Sequence, residues 1–153
     1  MENTEEKQET IGSLITKSYW YVKTYFHKLL RENNIGITTE QFSVMMAVYT
    51  KSGITQSEIA KMVLKDKTNI TRIIDLLEKS DYIKRKRDRN DRRIYKIYLT
   101  KSGKVILNKV FPITEQVDKN GLSNLNISQI SELKKLLANV RETYRELINC
   151  IDR

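Results

Sequence analysis

Seven of the ten side chains from Lys84 to Arg93 are cationic, the densest chemistry anywhere in the sequence. Lys84, Arg85, Lys86 and Arg87 form one run, and Arg89, Arg92 and Arg93 follow around Asp88, Asn90 and Asp91. Like charges so close repel, and a purely structural hairpin has no use for them. Phosphates relieve that repulsion, because each Lys or Arg seated on one releases condensed counterions. Asp91 and Arg93 stand two apart, close enough to pair near a hairpin tip and aim the guanidinium into a minor groove. Upstream, Lys67, Thr68, Asn69, Thr71 and Arg72 combine hydrogen-bonding and cationic groups, the types that reach base edges or phosphates from a helix. Arg72 is the candidate for a bidentate guanine contact. A solvated basic surface is the competing reading of both sets.

Other chemistries are poorly supplied. With one Cys and one His, no zinc or Cys–His site can be built within one chain. There is no glycine loop for phosphates and no nucleophile–base pair, so we expect no enzyme, no metal and no cofactor. Cys150 reads as an inert buried thiol and His27 as a surface or capping group. Tyr25, Met45 and Tyr49 are candidates for lining an effector pocket, although aromatic and Met stripes at helical spacing are more often core.

The charge is focused. The 153 residues carry 28 Lys+Arg against 19 Asp+Glu, a net charge of +9. Between Lys61 and Lys101 there are 14 basic and 6 acidic residues, so about a quarter of the chain holds nearly the whole excess. Met1 to Thr10 is polar and acidic, which does not fit a signal peptide, and no apolar run approaches the ~20 residues of a membrane span. The expectation is a reduced, cytoplasmic protein without membrane contact.

These residues need elements to hold them. Ile11 to Leu30 has the three-and-four spacing of a helix face. Thr38 and Gln41 have capping-box spacing and open a second helix, with Phe42, Met45, Met46 and Tyr49 expected inward. Thr55 to Glu58 is another capping box and opens a short helix, with Ile59, Met62 and Val63 expected inward. Asp66 is the N-cap candidate for a helix from Lys67 to about Ser80, with Ile70, Ile73, Ile74 and Leu77 on its core side. At 100° per residue, Thr68, Arg72, Asp75 and Lys79 then face outward. The period next changes from 3.6 to 2. Tyr82-Ile83, the basic run, turn residues and a strand from Arg92 to Leu99 make a β-hairpin, with Tyr95, Ile97 and Leu99 on one face. Thr100 caps a fifth helix through Val105, Ile106, Leu107 and Val110, in which Pro112 should cause a kink or a new segment. Asn126 and Gln129 open a long amphipathic helix from Ile127 to Ile151.

Helix, turn, helix, basic hairpin is a winged helix-turn-helix order, mainly α with a small β-hairpin wing. Asp91-Arg92-Arg93 followed by Leu99-Thr100-Lys101-Ser102-Gly103 resembles the wing signature of the multiple-antibiotic-resistance regulator (MarR) family. Thr55-Gln56-Ser57-Glu58-Ile59-Ala60, Asn69-Ile70-Thr71-Arg72 and Leu77-Glu78-Lys79 are similar to its helix-turn-helix segment. The resemblance implies an obligate dimer, duplex DNA bound through the Lys67 helix, Arg93 held by Asp91 in the minor groove, and control by small phenolic or lipophilic ligands or by thiol oxidation. Cys150 lies far from the first helix, where oxidation sensors of the family tend to carry their thiol. Ser80-Asp81-Tyr82 stands where the family often has Gly, so that turn is expected to differ.

Three regions follow: an N-terminal dimerisation helix (1–37), a winged helix-turn-helix domain (38–103) and C-terminal dimerisation helices (104–153). The wide apolar faces of the outer helices would be a liability if left bare, and mates from a second chain would cover them. The reading is a sequence-specific regulator of transcription, a ligand-responsive repressor that binds a near-palindromic operator as a homodimer. The alternative is a winged module whose basic wing touches an acidic protein or RNA.

Overall fold

The computed structural model describes residues 9–151; residues 1–8, which hold most of the acidic opening stretch, residues 152–153 and the side chain of Ile151 lie outside it. The chain divides into two compact units, one up to Val117 and one from Asp118.

In the first unit, α1 (Ile11–Glu32) begins where the Thr10 hydroxyl accepts the Ser13 N–H at 3.2 Å. Only its last third is core, through Phe26, Leu29 and Leu30; Ile11, Leu14, Tyr19, Trp20 and Val22 are exposed. α2 (Thr39–Thr50) carries the full capping box, with Thr38 and Gln41 each accepting the other's backbone N–H. Its buried face is Val44, Met45, Ala47 and Val48, with Phe42 and Met46 partly covered. Tyr49, expected inward, is 54% exposed and sets its ring edge-on to Phe111. Neighbours cover α2 on more than one side, so its buried face is broader than a single stripe.

β1 (Ile54–Thr55) leads into α3 (Gln56–Met62), whose capping box joins Thr55 and Glu58. Ile59 and Ala60 are buried; Met62, expected inward, is exposed. The turn into α4 (Lys67–Lys79) passes through Leu64 in the left-handed region, at φ 52°. Along α4, Ile70, Ile73, Ile74 and Leu77 are all buried. Asp81 then also takes a left-handed conformation (φ 56°), where glycine would be easiest, and the Tyr82 N–H closes the helix on the Leu77 carbonyl.

β2 (Ile83–Arg87) and β3 (Tyr95–Leu99) pair antiparallel with Ile83 opposite Leu99 and Arg87 opposite Tyr95. β1 adds to the free edge of β3, giving a three-stranded sheet rather than the expected lone hairpin. A two-residue strand has no period to read. Ile97 is buried, whereas Tyr95, expected on the same inner face, is exposed. α5 (Lys101–Gly121) is capped by the Thr100 hydroxyl on the Gly103 N–H and runs as one helix through Pro112. It buries Leu107, Val110, Ile113 and Val117. Gly103 is a close approach: a Cβ there would lie 2.0 Å from the Tyr82 carbonyl oxygen.

The second unit holds α6 (Ile127–Ile151), opened by reciprocal bonds between Asn126 and Gln129. None of its described residues is buried; Leu136, Leu137, Tyr144, Leu147 and Ile148 are exposed. Cys150, expected to be buried, is exposed as well, because the helix end that carries it is uncovered. Among the described residues no helix is long and apolar enough to cross a membrane.

Candidate nucleic-acid interface

α4 is positioned by its apolar face, which leaves Lys67, Thr68, Asn69, Thr71, Arg72, Asp75 and Lys79 exposed, as the helical spacing predicts. The Asp66 carboxylate opens the helix. It accepts the Asn69 backbone N–H at 2.9 Å and the Asn69 side-chain amide at 2.5 Å. Those bonds hold the carboxyl below its ordinary range, and they engage the Asn69 amide locally. The Thr71 hydroxyl donates to the Lys67 carbonyl at 2.8 Å and accepts from the Gln56 amide at 2.5 Å. Gln56, absent from the sequence-based set, thus stands beside the outward face of α4. Thr68 and Arg72 keep their polar ends free of ion pairs and side-chain bonds among the described residues. Arg72 lines a cleft of about 340 Å³ with Thr38, Gln41, Lys65 and Leu76.

The wing tip spends its carboxylates on the turn. Asp88 Oδ1 accepts the backbone N–H groups of Asn90 (2.8 Å) and Asp91 (3.2 Å), and Oδ2 meets Lys96 Nζ at 2.7 Å. The Lys96 ammonium and those N–H groups pull the Asp88 carboxyl down to about 2. Asp91 Oδ1 accepts the backbone N–H of Arg93 at 2.9 Å, and no ion pair joins Asp91 to the Arg93 guanidinium. Asp91 therefore shapes the backbone that carries Arg93. Arg89, Arg92 and Arg93 are exposed and carry no ion pair among the described residues. Arg87 donates to the Tyr95 hydroxyl at 3.1 Å and lies over that ring.

The remaining wing cations divide by sheet face. Side chains alternate along a strand. Arg85 turns towards α4, pairing with Asp75 at 2.5 Å and with Glu78, which also accepts the Arg85 backbone N–H at 3.1 Å. Burial disfavours its charge, but the two carboxylates outweigh that and raise its pKa. Arg85, expected on DNA, is committed within the chain; i,i+7 and i,i+10 partners across a turn leave no periodic signal in sequence. Lys84 and Lys86 stand on the opposite face, exposed.

Tyr25, Met45 and Tyr49 do not share one role. Met45 is fully buried, so it is a packing residue rather than a pocket wall. Tyr25 packs partly buried against the core. Tyr49 lines a cleft with Lys84, Lys86 and Tyr98. Among the described residues no group of His, Cys, Asp or Glu could hold a metal ion.

Residues 37–95, from the residue before the N-cap of α2 to the start of β3, match the MarR family. The chain is 32% identical over 108 residues to an HTH-type transcriptional regulator of Bacillus cereus, covering 69% of this chain and 71% of that one. It is 39% identical over 89 residues to the HTH-type transcriptional regulator PapX of Escherichia coli, covering 56% of this chain and 54% of PapX, so it spans about half the length of that relative. The fold is that of the E. coli regulator MarR in its mutant C80S form complexed with operator DNA: TM-score 0.77 over 85% of this chain and 92% of that one, at 24% identity. The family and these relatives are transcription regulators, not enzymes, and this chain belongs to the MarR family of HTH-type transcriptional regulators.

Proposed function

We propose that the protein binds duplex DNA sequence-specifically as a homodimer and regulates transcription as a ligand-responsive repressor in the cytoplasm. The observation that carries the reading is the wing tip. Its two aspartates are consumed in shaping the turn, and Arg89, Arg92 and Arg93 are left without ion-pair partners among the described residues. Three guanidinium groups gathered at one turn repel one another, and a phosphate that meets them relieves that repulsion and gains charge-assisted hydrogen bonds. α4 supplies the second element. Thr68 and Arg72 face outward near its N-terminal half, with Lys67, Asn69 and Thr71 around them, which suits base-edge and phosphate contacts in a major groove about 12 Å wide. Arg87 extends the basic edge of the wing. The operator complex of the E. coli neighbour shows this architecture on DNA in that protein.

The dimer rests on α1 and α6. Their exposed apolar residues, including Trp20, Val22, Leu136 and Leu147, form faces that a second copy would cover. A two-fold dimer carries two α4 helices and reads a near-palindrome, and covering the promoter makes it a repressor.

Selection of bound duplexes from a random pool, followed by sequencing, tests this. The expected result is a two-fold symmetric site with half-sites about one helical turn apart. No enrichment, with no duplex bound in dilute buffer, overturns it; a preference for single-stranded RNA or an acidic protein would favour a different polyanion.

A further inference from the structure

The polar side chains that α4 turns outward are not equally available. The Asn69 amide is already bonded to the Asp66 carboxylate at 2.5 Å. Thr71 is engaged more fully, although the residue is exposed. Its Oγ1 donates to the Lys67 carbonyl at 2.8 Å and accepts from the Gln56 side-chain amide at 2.5 Å. A carbonyl can only accept and an amide nitrogen can only donate, so the one hydroxyl proton is used and a lone pair is filled. We propose that Thr71 reads DNA with its γ-methyl group, packed on the 5-methyl of a thymine in the major groove, and that Gln56 is the positioning residue that keeps this methyl outward.

Place, orientation and chemistry converge. Thr71 stands beside Arg72 in the N-terminal half of α4, the part of such a helix that reaches base edges first. Ile70, Ile73, Ile74 and Leu77 anchor the other face in the core, so α4 cannot roll to present a different edge. Within a helix, threonine ordinarily divides between two χ1 rotamers, because its hydroxyl can reach either of two preceding carbonyls. Here a side chain of α3 holds the same oxygen from the other side. The oxygen therefore faces α3 and the backbone, and the methyl is what the exposed side chain has left to offer. An oxygen without a free proton cannot donate to guanine O6, to thymine O4 or to a purine N7, whereas a threonine methyl packs on the thymine methyl. Gln56 is fifteen positions from Thr71, and its bond decides which end of Thr71 meets a base. If the two bonds served only to join α3 to α4, binding would be indifferent to the thymine methyl.

The proposal rests on the duplex-binding function proposed above. The test takes the full chain and the duplex enriched from the random pool, with each thymine of a half-site replaced in turn by deoxyuridine, which lacks only the 5-methyl. At least one replacement should weaken wild-type binding about fourfold, the contribution of one buried methyl. Thr71→Ser keeps the hydroxyl and drops the methyl, so it should bind that thymine duplex and its uracil counterpart equally. Thr71→Val drops the hydroxyl and carries a methyl in either position, so it should keep the preference. Reading through the hydroxyl would give the reverse pair of results. Gln56→Met removes the donor and should lower the preference, and adding Thr71→Val to it should restore the preference, a rescue that a merely structural Gln56 would not show. Circular dichroism should be the same for all variants. The proposal is overturned if no replacement weakens the wild type, if the preference survives Thr71→Ser, or if it is lost in Thr71→Val. An unchanged preference in Gln56→Met overturns the positioning role. A wild type that binds no duplex sinks the DNA reading and this proposal with it, whereas duplex binding that ignores every thymine methyl sinks this proposal alone.

Discussion

At the wing tip, Asp88 and Asp91 accept backbone N–H groups, and Asp88 also pairs with Lys96. The arginines there consequently differ from Arg85, whose guanidinium already holds Asp75 and Glu78. The two kinds should respond differently to removal. If Arg93 contacts DNA as proposed, Arg93→Ala should weaken binding to every duplex and lower the salt slope by about 1, because one cation is lost from the contact. Arg85→Ala should leave that slope unchanged. It should instead cost on the order of 1–2 kcal/mol in urea unfolding, since two carboxylates lose a half-buried partner. Equal slopes for both variants would show that the ion pairs do not sort the arginines. The sequence made the charge of this stretch plain, but not its allocation. Which cation is free depends on carboxylates brought near by the turn at Asp81 and by strand alternation, and neither shows in the run itself.

Among the elements, the apolar period of α4 and the capping residues Thr38, Thr55, Asp66 and Thr100 were readable because each acts within four residues. What escaped depends on long-range pairing or on backbone shape: β1, the outward Tyr49 and Met62, and the turn at Leu64. That turn makes a direct prediction. Leu64 is 79% exposed and left-handed, so Leu64→Gly loses little burial. It relieves roughly 1–2 kcal/mol of backbone strain against about 0.5–1 kcal/mol of added chain entropy. Urea unfolding should show a modest gain in stability, and a loss would mean that the left-handed turn is not strained. Gly103→Ala should act oppositely, costing at least roughly 1–3 kcal/mol, because the added carbon meets the Tyr82 carbonyl rather than a movable side chain. At the joint between α1 and α2, Lys23 meets Glu40 at 2.5 Å. The Lys23 ammonium, against the opposing effect of burial, holds the Glu40 carboxyl at about 2 instead of 4.5. A lowered folded pKa gives stability that is present above 4.5 and lost as pH falls towards 2. Glu40→Gln should therefore be less stable than the wild type at neutral pH, and that gap should shrink by about pH 3. A gap independent of pH would remove the ion pair as its cause.

At the scale of the whole molecule, the sequence showed two outer helices with more apolar surface than one chain needs, and the structure leaves that surface bare. α1 buries only its last third, and no described residue of α6 is buried. Apolar faces of this kind on helices call for ridge-and-groove partners, and a second copy offers the same faces by symmetry. Light scattering at micromolar concentration should return twice the 18.0 kDa chain mass. Leu136→Glu with Leu147→Glu should bring it back to one chain mass while circular dichroism stays the same, because neither side chain is buried within the chain. The same variant should lose most of its affinity for a two-half-site duplex and little for a single half-site, since each protomer keeps its own α4 and wing. A wild type that scatters as a monomer would overturn the dimer. A dimer that survives both glutamates would place the contact elsewhere, because two carboxylates per chain facing their mates in an apolar seam cannot be desolvated without unpaired charge.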